Sequence, residues 1–125
     1  MTVAALTELF LMNMGYARSD LQEQDVVEEY SGVLLRWLNE GYFRALRRLG
    51  GNEPADTAAA LRGQEDEPKA LKTGLHPLLA DYAAARAQEM RGNAGAASAR
   101  YAAYERGLSD AAEVRCSGFN LWQEM

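Results

Sequence analysis

His76 is the only histidine and Cys116 the only cysteine in the sequence, so the side chains suited to nucleophilic or metal chemistry are few. A single imidazole excludes a His-His metal pair and an HExxH arrangement. A Cys116 thiolate with His76 as its base would need a third group to orient the ring, and nothing near either residue supplies one. His76 precedes Pro77, whose missing N–H suits the first turn of a helix, so a structural place at a helix start is expected. Two carboxylate sets could serve as paired acids: Glu28 with Glu29, and the run Glu65-Asp66-Glu67. The first lies in the acidic beginning of a helical segment, where the helix dipole accounts for it. The second lacks the spaced ligands and turn glycine of an EF-hand loop. Gly50-Gly51 is followed by no lysine-serine pair, so it is no phosphate loop. Arg44, Arg47 and Arg48 form a short basic cluster that balances a helix C-terminus, with contact to an acidic partner surface as the alternative. No enzyme activity, metal or cofactor is expected.

Apolar chemistry is more telling than catalytic chemistry. Phe119, Leu121, Trp122 and Met125 crowd the last seven residues with apolar bulk. A terminus frays unless something ties it down, and a tryptophan in a pocket is a typical anchor of a protein interface. These four are the candidate partner-binding residues. They would bind a neighbouring subunit or a different protein, with folding back onto their own domain as the other reading.

The elements that must position this tail follow from periodicity. Thr2 caps a short helix in which Val3, Leu6 and Phe10 repeat at helical spacing and Gly15 is the stop. That helix is apolar on nearly all sides, so it is expected to be buried or shared with a neighbour. Ser19 with Gln22 makes a capping box for a long helix of about 25 residues through Tyr30, Leu34, Trp37, Leu38, Ala45 and Leu49. Five acids and no base lie between Asp20 and Glu29, and four arginines with one acid between Arg36 and Arg48, a gradient that matches the dipole. Gly32 and Gly41 within it would permit close packing or a bend.

From about residue 50 to 74 no period is sustained, which reads as a polar loop of functional or mobile character. Leu75 to Met90 then opens a helical hairpin, Arg91-Gly92-Asn93 turns it, and Asn93 caps a return helix from Ala94 to Leu108. Ala94, Ala97, Tyr101, Tyr104 and Leu108 form one seam and Leu79, Tyr82, Ala83 and Met90 the other. Nearly half the residues from Ala80 to Ala103 are alanine, so the backbones can approach closely with tyrosine rings filling the gaps. Ser109 can recap a short helix to Val114, which Ser117-Gly118 should break.

Bulk properties bound the rest. A chain of 125 residues, 48% apolar and 25% charged, fits one globular domain. A net charge of −5 argues against a protein that grips nucleic-acid phosphates, but not against one that lets DNA pass. One cysteine forms no internal disulfide, which suits a reducing compartment, and the apolar segment Val3 to Met14 is too short to span a bilayer. The expected fold is all-α: a small helical bundle with a long central helix, an αα-hairpin and an extended C-terminal arm. Residues 1–115 make the domain and 116–125 the docking arm.

A short apolar helix, a long helix carrying Trp37-Leu38-Asn39-Glu40, a polar loop, and Leu75-His76-Pro77-Leu78-Leu79-Ala80-Asp81-Tyr82-Ala83 before a glycine turn and an Ala/Tyr helix resemble bacteriophage head-to-tail adaptor proteins. The resemblance covers Thr2 to Leu108. It implies a subunit of a homo-oligomeric, dodecameric ring below the portal protein in the virion neck, assembled in the host cytoplasm. Its partners would be the portal and tail or neck proteins, with DNA passing through the channel and no membrane involved. It also implies that Leu79, Tyr82, Tyr101 and Tyr104 form the subunit core, with the tail from Cys116 to Met125 as the docking arm. The alternative is a small helical protein-binding or regulatory module of the cytoplasm.

Overall fold

The computed structural model describes residues 1–16, 30–49 and 58–112 in full and residues 113–124 by their backbone alone. Among the described residues it is an all-α fold of four α-helices: α1 (Val3–Asn13), α2 (Leu34–Leu49), α3 (Pro77–Met90) and α4 (Ala94–Glu124). A 3₁₀ turn, Thr73–Leu75, leads into α3.

The local stop and start signals act as their chemistry dictates. The Thr2 hydroxyl accepts the Ala5 N–H at 3.2 Å, and Gly15, at φ +94°, takes a left-handed backbone beyond the end of α1. Gly92 does the same at φ +81° between α3 and α4. Pro77 occupies the first position of α3, two residues later than Leu75, because the preceding turn is 3₁₀. Asn93 turns back: its side-chain amide donates to Gln88 Oε1 at 2.9 Å.

One core joins all four helices, built on Leu6, Phe10, Leu38, Leu46, Leu79, Tyr104 and Leu108. Each fully buried leucine contributes about 1.5–3 kcal/mol. Phe10, Tyr30 and Trp37 pack as an aromatic trio with centroids 5.0–6.5 Å apart. In the hairpin, Tyr82 lies 5.8 Å from Tyr101 and 5.2 Å from Tyr104. The seam assigned from spacing is present, with two corrections: Met90 is 56% exposed and Ala94 is exposed. Both flank the turn, where the paired helices run out of neighbours.

Three expectations change. The helix through Leu49 is not continuous from its N-terminal half: Ser31–Val33 form a turn, so α2 has 16 residues. The expected start at Ser19 and the acidic run to Glu29 lie outside the described residues. Gly32 has no atom within 4 Å of where a Cβ would stand, whereas Gly41 has Tyr82 at 3.1 Å; the first glycine sits in the turn and the second lets two helices touch.

At the other end, Ser117-Gly118 breaks nothing. The backbone of α4 stays helical through 31 residues to Glu124, so the arm is the last turns of the hairpin's own helix.

The third change concerns the loop. Leu61, Ala70 and Leu71 are 3–4% exposed, and carbonyls of Asp66 and Gln64 accept the Val3 and Ala4 N–H groups at 2.8 and 2.9 Å. Those donors are orphans at any helix start, so residues 58–74 act as a cap for α1 and a side of the core. Asn39 fastens the same loop, donating to the Leu61 carbonyl at 3.0 Å and accepting its N–H at 2.8 Å.

Candidate functional site

His76 is 3% exposed. The Met1 ammonium donates to its Nδ1 at 2.7 Å, which leaves Nε2–H to donate to the Leu71 carbonyl at 2.9 Å. Both ring nitrogens are therefore occupied in holding α1, the loop and α3 together. Glu65, Asp66 and Glu67 are exposed. The N–H groups of Gly63 and Arg62 bond the Asp66 carboxylate at 2.9 and 2.7 Å and hold its pKa below the ordinary range. Among the described residues no group of three or more His, Cys, Asp or Glu is placed to hold a metal ion.

The arginine cluster divides. Arg44 reaches Glu105 of α4 at 2.9 Å, and Arg48 pairs with the same carboxylate and donates to Ser109 Oγ at 2.6 Å. Such exposed pairs add little stability, but they fix the register of the two helices. Arg47 has no ion-pair partner among the described residues. A second polar network crosses α2, α3 and α4. Tyr82 donates to Glu40 at 3.2 Å, and Arg86 faces Glu40 at 3.6 Å. Burial pushes up the pKa of Tyr82, Tyr101 and Tyr104, that of Tyr101 to about 12 with Glu89 adding to the rise. Asp81 is raised by burial, against the opposing pull of Arg100 at 3.2 Å. Spacing reveals the tyrosine seam but not this polar network, because its members lie on three helices.

The pairs Gly41–Tyr104, Arg44–Glu105 and Arg48–Ser109 rise together in number, so α2 and α4 run parallel. Leu78 of the first turn of α3 lies against Gly107. Thus α2 ends and α3 begins near Ser109, while α4 continues to Glu124. The sixteen residues after Leu108 span about 24 Å at 1.5 Å per residue, more than all of α3. Neither α2 nor α3 is long enough to cover this extension.

Three of the tail residues singled out by composition lie on it. Ala112, Phe119 and Trp122 follow Leu108 by four, eleven and fourteen residues, within about 40° of its direction at 3.6 residues per turn. They share the angular sector of Leu108, which is fully buried in the body, with Arg115, seven residues on, in the same sector between them. Leu121 falls on roughly the opposite side, so the tail residues do not form one stripe. Their side-chain surroundings, and Met125 altogether, lie outside the described residues, as does the thiol of Cys116.

Among the described residues no helix is long and apolar enough to cross a membrane. No family model, curated protein or solved structure matches the chain.

Proposed function

We propose that the chain is a structural subunit of a homo-oligomeric ring in a bacteriophage neck, below the portal protein, connecting capsid to tail and continuing the DNA channel. The supporting observation is the extension of α4, whose helical backbone runs about 24 Å beyond the helices that pack on it and whose sequence sets Phe119 and Trp122 on one side of it. Large apolar residues on such an extension are stabilised by burial against another chain, and a patch that meets a different surface on an identical copy generates rings when the rotation closes. The order of elements that resembles head-to-tail adaptors supports the same reading. The net charge of −5 suits a channel wall that makes few phosphate contacts.

Negative-stain microscopy and single-particle mass measurement of the purified chain, alone and with its portal, test this. Closed rings of one size are expected. A species that stays a monomer or small hetero-complex in both cases refutes the ring and favours the protein-binding module of the cytoplasm.

A further inference from the structure

We draw no further inference here: the strongest candidate, the cleft of about 150 Å³ between the first turns of α1, the start of α2 and the loop, carries none, because nothing in the structure shows what fills it.

Discussion

Three helix glycines differ in what an added methyl group would meet, so alanine substitution separates helix propensity from packing. Propensity alone favours alanine by about 0.8–1.0 kcal/mol in a helix interior. Gly95 has open space around the would-be Cβ, and Gly95→Ala should stabilise by about 0.5–1 kcal/mol. At Gly107 the methyl would come 2.4 and 2.7 Å from the two Cδ atoms of Leu78. Those are the ends of a half-buried side chain that can turn aside for about 0.5–1.5 kcal/mol, so Gly107→Ala should fall near zero. Gly41 is the opposite case. Its Cβ would meet Cβ, Cγ and Cδ1 of Tyr82, all at 3.1 Å, at the root of the side chain, where a rotamer change gives least relief. Tyr82 is further held through Glu40 and between Tyr101 and Tyr104. Relief must come from α2 backing away, which stretches the 2.8 Å bond from Tyr104 to the Gly41 carbonyl. Overpacking of this kind costs about 1–3 kcal/mol, which outweighs the propensity gain and leaves a net loss of about 1 kcal/mol. Urea unfolding followed by circular dichroism should therefore rank Gly95→Ala first, Gly107→Ala beside the parent and Gly41→Ala last, with a common m value. Gly41→Ala as stable as Gly95→Ala would show that α2 and α3 do not meet as closely as argued.

Other perturbations probe the seam and the loop. Tyr104→Phe removes only the hydroxyl that bonds Gly41 and should cost about 1 kcal/mol in the same titration. Asn39→Ala leaves the Leu61 N–H and C=O without their partner and should cost about 2–3 kcal/mol, more than an exposed helix substitution would. Tyr82, Tyr101 and Tyr104 have folded pKa values raised above the reference 10.0, so their contribution to stability is whole below about pH 10 and is lost as pH rises through the folded values. Phenolate absorbance should show these three of the six tyrosines ionising only as helicity is lost; six phenols titrating near pH 10 in a folded chain would contradict it.

What the sequence made legible was what neighbours in sequence decide. Thr2, Gly15, Pro77 and Gly92 act within one helical turn, and each sits where its backbone chemistry requires. The Tyr101–Tyr104–Leu108 seam was readable because both of its sides repeat at helical spacing. The two interruptions were not: Ser31-Gly32 lies in a turn and Ser117-Gly118 stays helical, although the pairs are chemically alike. Penalties of about 1 kcal/mol per glycine are too small to decide between them against the rest of the chain. The loop's part in the core was hidden for a related reason. Asn39 and the carbonyls of Gln64 and Asp66 act on residues more than twenty positions away, and no local pattern announces such a bond. Tail composition identified apolar bulk, but not that helix register sets Phe119 and Trp122 on one side and Leu121 on the other.

Stability and assembly should separate along α4. Before Ser109 the helix is held by Tyr82, by Gly41 through Tyr104, and by Arg44 and Arg48 through Glu105. Beyond it neither α2, which ends there, nor α3, which begins there, lies alongside the remaining turns. In the proposed ring, seam substitutions should therefore move the unfolding midpoint while folded copies keep their affinity for one another. Substitutions at Phe119 or Trp122 should do the reverse. A seam substitution that lowered copy-to-copy affinity in the fully folded chain would mean that the seam also sets the angle of the tail, and that body and arm are one mechanical unit.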